Sequence, residues 1–247
     1  MKIVLATKNV GKLKEIREIF GEAPVVITSS EEEGCRDDVA ESGITFEENA
    51  LIKARAVYEQ IKGCRMDSGI KACRTTENTC RTTENTCRTT GEEIKTRAET
   101  EMIVIADDSG LEVDFLNGMP GIYSSRFGGE GASDADRVNR LLNLLEGVPA
   151  QKRRARFVCA ATALLPDGNE IIVRGECSGQ IGFLPVGENG FGYDPVFIAD
   201  EYGKTMAELD AEDKNRISHR GRAMKMLTAE IIRYYPELLH RIGKQGK

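Results

Sequence analysis

Short continuous apolar runs alternate with runs of helical spacing in the first half of the chain. Residues 2–6 form a short apolar run that predicts a strand. A polar loop follows, and helical spacing then recurs at Leu13, Ile16, Ile19 and Phe20. Residues 25–27 indicate a second strand, and Thr45 with Glu48 three residues later predicts a capped helix from about 46 to 61. The first half therefore predicts strand–helix alternation.

The apolar run at 103–106 leads directly into two adjacent carboxylates, Asp107 and Asp108, and then into Ser109 and Gly110. Such a run predicts a buried strand that ends at the two acids. Strand ends at a sheet rim are where open α/β folds bind ligands, and paired carboxylates suit a divalent cation. A tight turn explains the same residues equally well, because Asp, Ser and Gly all favour turns. Both interpretations stay open for this stretch alone.

The second half predicts antiparallel pairing. Residues 155–165 and 170–177 are apolar runs that flank the turn residues 166–169, which indicates a hairpin. Ser133 is a candidate N-cap for a helix at about 135–145, and the Gly- and Pro-rich residues 114–131 predict a surface loop. Further helices are expected from about 205 and from about 223 to 234. Together the halves predict a mixed sheet with α/β and α+β character.

A tandem heptapeptide interrupts this pattern. The unit at 74–80 repeats at 81–87 and starts a third time at 88. It lacks the aliphatic pair that a coiled coil needs, and it is rich in Thr and Asn. We expect a flexible, low-complexity insertion rich in Cys and Thr at about 62–100, with a folded or metal-binding module as the alternative. The remainder of residues 1–247 is expected to form a single domain.

Composition narrows the classes of partner. The net charge of −6 argues against non-specific binding to duplex nucleic acid. No apolar run reaches the length of a membrane span, and the N-terminus lacks a signal-peptide core, so the expected location is the cytoplasm. The seven cysteines are expected to be free thiols in such a compartment.

Two groups of polar residues are candidates for ligand binding. The loop from Thr7 to Lys12 leads into a helix N-terminus, which offers unpaired N–H groups to an anion, and Lys8 and Lys12 add positive charge. An ordinary strand–helix connection with solvated lysines is the alternative, and the Walker A pattern is absent. Phe191 and Tyr193 could stack on a flat base, or both could pack into the core. Lys214, His219 and Arg220 form a compact cluster of donors, although a lone histidine is more often structural.

Six motifs occur in order and together carry a family resemblance. They are ATKNVGK at 6–12, TFEENALIKA at 45–54, ADDSGLEVD at 106–114, PGIYSSRF at 120–127, GFGYDPVF at 190–197 and DKNRISHRGRA at 213–223. The chain resembles the inosine triphosphate pyrophosphatase family, including the bacterial-type dITP/XTP pyrophosphatases, everywhere except at about 62–100. The resemblance implies an elongated mixed α/β fold with a cleft between two lobes, a homodimer, and Mg²⁺-dependent hydrolysis of non-standard purine nucleoside triphosphates to the monophosphate and pyrophosphate.

The resemblance also implies roles for residues of this chain. Asp108 would be the catalytic acid/base residue and a magnesium contact, and Glu41 would be the second metal carboxylate. Ser109 would contact substrate, and Lys53 would add charge at the triphosphate. The triphosphate would be held by Thr7, Lys8, Asn9, Val10, Gly11 and Lys12. The base pocket would contain Phe191, Gly192, Tyr193, Asp194, Lys214, His219 and Arg220, and which of its donors reads the base is open. A nucleotide-binding module without turnover, or a pyrophosphatase for other modified nucleotides, is the alternative function.

Overall fold

The computed structural model describes residues 2–20, 26–35, 39–74, 102–129 and 131–236. The strands in this part of the chain are β1 (Lys2–Leu5), β2 (Val26–Ser29), β3 (Met102–Val113), β4 (Arg154–Leu164), β5 (Glu170–Ile181), β6 (Phe197–Ala199) and β7 (Lys204–Thr205). The α-helices are α1 (Val10–Phe20), α2 (Phe46–Arg74), α3 (Asp134–Leu144), α4 (Ala211–Ile217) and α5 (His219–Tyr234).

All seven strands belong to one mixed sheet in the order β2-β1-β3-β4-β5-β6-β7. β1 pairs in parallel with both β2 and β3, whereas the pairs from β3 to β7 are antiparallel. The predicted hairpin is β4–β5, and its partners run from Arg154↔Gln180 to Leu164↔Glu170. The mixed α/β fold predicted from the two halves of the chain is therefore confirmed.

The central strand β3 does not end at the two aspartates. It continues to Val113 because β4 pairs with it in antiparallel register over the whole stretch, with Asp107 opposite Ala161 and Asp108 opposite Ala160. The predictions of a strand end or a tight turn at this position are both wrong. The strand that does end here is β1, whose pairing with β3 stops at Leu5↔Ile105. The two acids therefore lie beside the open end of the neighbouring strand.

Both ends of β3 are apolar and pack into hydrophobic cores, whereas its middle is polar. Ile103 and Ile105 belong to a core with α1 and α5, and Val104 belongs to a second core with α2 on the opposite face. Leu111 and Val113 belong to a separate core that includes α3, β6 and the end of α4. Asp107, Asp108 and Ser109 lie between these cores, which places a cleft across the middle of the sheet.

Helix boundaries differ from the predicted ones at several places. Helix α2 continues to Arg74 instead of ending near 61, so it enters the segment predicted as an insertion. Residues 75–100 of that segment lie outside the described residues. Ser133 caps α3 as predicted, because its hydroxyl accepts the Asp136 N–H. The segment after Thr205 is only a 3-10 turn, Met206–Glu208, since Asp210 caps a new helix directly after it.

The loop predicted at 114–131 carries two 3-10 turns, Asp114–Leu116 and Gly121–Arg126. Ser124 ties the second turn to the central strand, because its hydroxyl accepts the Leu111 N–H over 2.8 Å. Three of the seven cysteines are described with their side chains, and all three are buried thiols outside any disulfide, as predicted: Cys35, Cys159 and Cys177. No helix in the described ranges is both long enough and apolar enough to cross a membrane.

Candidate active site

The two adjacent aspartates of β3 face opposite sides of the sheet. Consecutive strand residues point to opposite faces, so Asp107 is directed toward α1 and α5, and Asp108 toward α2. The contacts agree, because Asp107 approaches Lys12 of α1 and Arg220 of α5, whereas Asp108 approaches Lys53 of α2. The two carboxylates therefore belong to different electrostatic environments.

Asp108 is held by three donors. The Asn49 side-chain amide donates to Oδ2 over 3.0 Å, and the Ser109 N–H donates to Oδ1 over 3.0 Å. Lys53 Nζ lies 3.6 Å from Oδ1. Burial raises the pKa of Asp108, and the nearby Lys53 and Lys12 only partly oppose that shift. The result is a buried, oriented carboxylate.

Lys53 joins Asp108 to Glu41. Its ammonium lies 2.7 Å from Glu41 Oε1 and also donates to the Asp107 main-chain carbonyl over 3.3 Å. Burial by itself would lower the pKa of Lys53, but Asp108, Asp107 and Glu41 raise it above the usual value, so the side chain is an ammonium. Lys53 is therefore not a solvated surface lysine, since only 14% of its side chain is exposed.

Within the described ranges, Glu41 and Asp108 are the two carboxylates available to a metal ion at this place. Both approach the same ammonium, at 2.7 and 3.6 Å. No group of three or more His, Cys, Asp or Glu side chains suited to a metal occurs among the residues that the structure describes. Mg²⁺ commonly binds through only one or two carboxylates, with water and substrate phosphates completing its shell. The donor set of Glu41 and Asp108 therefore fits Mg²⁺.

The loop before α1 is organised by Asn9. Its side-chain oxygen accepts the Lys12 N–H over 3.1 Å, and its own N–H donates to the Thr7 hydroxyl over 3.2 Å. Asn9 thus caps the helix that begins at Val10, a role visible in the sequence as Asn just before a helical run.

A Cβ at Gly11 would lie 3.0 Å from Phe191 Cδ1, so this glycine allows the loop to approach the aromatic ring closely.

Two adjoining cavities collect the predicted residues. The first has a volume of about 270 Å³, and the predicted residues that line it are Thr7, Lys8, Asn9, Lys12, Glu41, Lys53, Asp108 and Ser109. The second has a volume of about 140 Å³, and the predicted residues that line it are Asn9, Lys12, Ser109, Phe191, Gly192, Tyr193, Asp194, Lys214, His219 and Arg220. Asn9, Lys12 and Ser109 line both. Val10, which is 79% exposed, and Gly11 line neither.

The two aromatic residues of the second cavity have different environments. Phe191 is half-buried, with Lys214 Nζ 5.2 Å and Arg220 Cζ 5.7 Å from its ring centroid. Tyr193 is buried in the core, and its hydroxyl donates to the Ser124 carbonyl over 2.9 Å. Of the two interpretations, stacking on a base suits Phe191, and core packing describes Tyr193.

Two residues of the donor cluster, His219 and Arg220, lie at the start of α5, which begins at His219 and not near 223, whereas Lys214 lies on α4. Ser218 caps this helix by accepting the Gly221 N–H, so the helix starts earlier than its apolar stripe suggests. His219 is buried and stacks on Phe157 with centroids 4.8 Å apart. Burial first, and then Arg220 and Lys214, hold the pKa of His219 well below its usual value, so the imidazole is neutral.

Lys214 and Arg220 are held by acids. Lys214 Nζ lies 2.6 Å from Glu15 Oε1 and 2.8 Å from Asp194 Oδ2. The guanidinium of Arg220 contacts Glu15 and donates to Ser109 Oγ over 2.9 Å. The second cavity therefore presents fixed cationic donors beside an aromatic ring.

Sequence reasoning missed two residues of the site. Asn49 precedes Lys53 by one helical turn, so the i, i+4 spacing places both on one face of α2. Glu15 follows Lys12 by three positions on α1 and precedes the buried Ile16, a spacing that could have placed its charge near Lys12. The distant partners of Glu15 on α4 and α5 have no signal in the sequence.

Comparison with known proteins places the chain in a family. The Ham1 family model matches residues 3–72 and 65–230. A dITP/XTP pyrophosphatase of Bacillus cereus is 39% identical over 236 residues, which cover 95% of this chain and 96% of that protein. One from Thermoanaerobacter sp. is 41% identical over 237 residues, covering 96% of this chain and 100% of that protein.

Solved structures agree with these matches. A HAM1 protein from Coxiella burnetii superposes with a TM-score of 0.70 at 33% identity, covering 94% of this chain and 99% of that one. The Ham1 protein of Staphylococcus aureus gives a TM-score of 0.70 at 36% identity, with 94% and 98% covered. The resemblance that the six motifs carry is thereby confirmed. The chain belongs to the Ham1 family.

Proposed function

We propose that this protein hydrolyses non-standard purine nucleoside triphosphates, namely ITP, dITP and XTP, to the nucleoside monophosphate and pyrophosphate. The observation that carries the proposal is the meeting of two chemically different cavities at Ser109, beside Asp108. One cavity is lined by lysines and carboxylates, and the other by an aromatic ring with fixed donors. Relatives about 40% identical are named dITP/XTP pyrophosphatase, which supports the same activity here.

The first cavity suits a triphosphate. Lys12 and Lys53 both line it, and the N-terminus of α1 lies at its wall through Asn9. Cations and helix N-terminal amides neutralise the charge of phosphoryl oxygens, and that neutralisation is most of what phosphoryl transfer requires of a protein. Thr7 and Lys8 add a hydroxyl and a further charge at the same wall.

Asp108 has the surroundings expected of the acid/base residue. Asn49 and the Ser109 N–H fix its two oxygens at 3.0 Å, so the carboxylate has one orientation toward the cavity. From there it would orient the attacking water and accept its proton. Glu41 and Asp108 would hold Mg²⁺. A bound Mg²⁺ would supply neutralisation of charge on the phosphates.

The second cavity suits a purine. The Phe191 ring offers a face for stacking, and Lys214 and Arg220 offer donors. A 6-keto purine presents an acceptor where adenine presents its N–H₂ donor. Adenine would leave buried donors unpaired, and such mismatches are discriminated strongly. Guanine shares the 6-keto acceptor, so rejection of GTP would have to act on its 2-amino group. Gly192, Asp194 and the neutral His219 complete the wall of the cavity.

The wider organisation of the protein follows the family resemblance. We propose one nucleotide-hydrolysing domain, interrupted by the insertion at about 62–100, that forms a homodimer in the cytoplasm. The acidic net charge of −6 argues against a nucleic acid or an anionic membrane as partner, and the small-molecule substrate rests on the two cavities. Sedimentation equilibrium of the full chain tests the dimer.

A pyrophosphate-release assay across nucleotides tests the activity. We expect release from ITP, dITP and XTP in the presence of Mg²⁺, little from ATP and GTP, and loss of activity with a chelator. Asp108→Asn should lower kcat by at least about a hundredfold, as general acid–base residues typically contribute. Tight ITP binding without product formation would replace the proposal by a nucleotide-binding module. Preferential cleavage of modified pyrimidine triphosphates would replace the substrate class.

A further inference from the structure

Asp107 has no role in the reaction outlined above, yet it is a charged side chain with only 1% of its surface exposed. Lys12 Nζ lies 2.9 Å from its Oδ2, Arg220 Nε lies 3.4 Å from the same oxygen, and the Cys159 thiol lies 3.9 Å away. Its other oxygen, Oδ1, is buried and has no hydrogen-bond partner. A buried carboxylate that leaves one oxygen unpaired is costly, so its position calls for a function.

The two cations on Asp107 reach different parts of the site. Lys12 lines both cavities and belongs to the loop that would hold the triphosphate. Arg220 lines only the cavity proposed for the base. Both meet at one carboxylate oxygen, so the position of one depends on the position of the other.

Asp107 also belongs to a buried row of alternating charges. Arg220 contacts Glu15, Glu15 contacts Lys214, and Lys214 contacts Asp194. In order the row is Asp194, Lys214, Glu15, Arg220, Asp107 and Lys12. Its three acids balance its three bases, and it runs from Asp194 in the base cavity to Lys12 at the phosphate cavity. If a bound base displaces Arg220, Asp107 loses one of its two cationic partners, and its contact with Lys12 changes as well.

We infer that Asp107 is a positioning residue that holds the Lys12 ammonium at the triphosphate while clamping Arg220 at the base, and so ties base recognition to the rate of cleavage. This inference rests on the proposed function. Asp107 itself does not touch substrate; it acts through Lys12. A correct base keeps Arg220, and with it Asp107 and Lys12, in the arrangement that supports hydrolysis, whereas a wrong base disturbs the same contacts.

The test separates positioning from binding. Asp107→Asn removes a negative charge beside a polyanion, so binding of inorganic tripolyphosphate, measured by calorimetry, should be no weaker than in the wild type. The kcat for dITP should nevertheless fall by about tenfold or more, because a charge-assisted contact to Lys12 is lost. Preference for dITP over dATP should fall as well. A purely structural role would weaken binding and turnover together, and that result would overturn the inference.

Double-mutant cycles test whether Asp107 acts on turnover through Lys12. Adding Asp107→Asn to Lys12→Met should lower kcat by less than about twofold further, since its effect passes through Lys12. If Asp107→Asn does not fold, Arg220→Lys replaces it, because this variant keeps the charge and loses only the planar fork. The affinity for dITP, measured without divalent metal, should then show non-additive effects of Arg220→Lys and Lys12→Met. This coupling is expected because both side chains contact Asp107. Additive effects would overturn the inference. A wild type that binds dITP but releases no pyrophosphate would refute the proposed function separately.

Discussion

Asn49 of α2 donates its side-chain amide to Asp108 Oδ2 over 3.0 Å, and the Asn49 side-chain oxygen accepts the Gly43 N–H over 2.9 Å. One side chain therefore orients the candidate catalytic carboxylate and anchors the segment that leads from Glu41 into the helix. Both contacts are at a side chain with no exposed surface, where an unpaired polar group is costly.

Asn49→Ala should therefore lower kcat by about tenfold or more while changing KM less, since hydrogen bonds to a charged group contribute about 1.5–3 kcal/mol. Steady-state kinetics on dITP gives the measurement. Asn143→Ala is the matched control, because Asn143 is an exposed helical residue of α3, away from both cavities. Equal effects of the two substitutions would show that Asn49 has no orienting role.

His219 predicts a pH dependence of stability. Its pKa in the folded protein is well below the value of 6.5 expected when unfolded, so below pH 6.5 the unfolded chain binds a proton that the folded chain does not. The free energy of unfolding should be unaffected by this group above pH 6.5. It should fall as the pH is lowered, by up to about 1.4 kcal/mol per pH unit.

Urea titrations at several pH values between 7.5 and 5 measure that slope. His219→Gln should lose the part of the pH slope that protonation of His219 causes. His240→Gln, which retains His219, is the matched control. The groups that act on the His219 ring are Arg220, Lys214, Asp107 and Lys12, and all are intact in both variants. A slope that disappears only in His240→Gln would contradict the assignment.

The sequence allowed the elements to be predicted better than the contacts between them. Local patterns place β1, β2, β4 and β5, the Ser133 cap and the β4–β5 hairpin, because each depends on neighbouring residues. The length of β3 could not be predicted in this way, since its second half exists only through pairing with β4, about 50 positions further along. Likewise Asp210 and Ser218 cap helices whose apolar stripes begin later.

Candidate site residues were predictable mainly through the ordered motifs. The spacing on β3 implies that Asp107 and Asp108 face opposite sides, but not what each side contains. Lys214 and Arg220 are recognisable as donors, whereas Glu15, which holds both, lies about 200 positions away from them in the chain. Interactions of that sequence separation depend on how α1 packs against α4 and α5, and no local pattern encodes it.

Gly110 should tolerate no side chain. A Cβ at this position would lie 2.4 Å from the Gly121 carbonyl oxygen and 2.5 Å from Ser124 Oγ, so Gly110→Ala must displace the 3-10 turn that packs on β3. We expect destabilisation of about 1–3 kcal/mol, as for other overpacked sites, and lower activity because the turn borders the cavities. Thermal unfolding and dITP turnover measure both.

Gly63→Ala is the control for that substitution. Gly63 is an exposed residue of α2, and a Cβ there meets no atom within 4 Å. Ala is favoured over Gly in a helix by about 0.5–1 kcal/mol, so this variant should be slightly more stable than the wild type. If Gly110→Ala is as stable as Gly63→Ala, the close approach of the turn to β3 is wrong.

Two adjacent arginines should differ greatly in their contribution to stability. Arg153 is buried, and its guanidinium donates to the carbonyls of Leu145, Ile181 and Gly182 over 2.7–2.9 Å. Burial lowers the pKa of Arg153, and none of its three partners carries a charge. Arg154, the next residue, forms an exposed pair with Asp200 at 2.7 Å.

Arg153→Met should lower the free energy of unfolding by about 3 kcal/mol or more, because three buried carbonyls lose their donor at once. Arg154→Met should change it by less than about 1 kcal/mol, since an exposed ion pair is screened by solvent. Urea titrations of both variants at constant ionic strength make the comparison. Raising the salt concentration should reduce the small effect of Arg154→Met and leave the large effect of Arg153→Met unchanged, because the contacts of Arg153 are shielded from solvent. Equal losses in the two variants would mean that Arg153 does not hold the end of α3 to the end of β5 through these carbonyls.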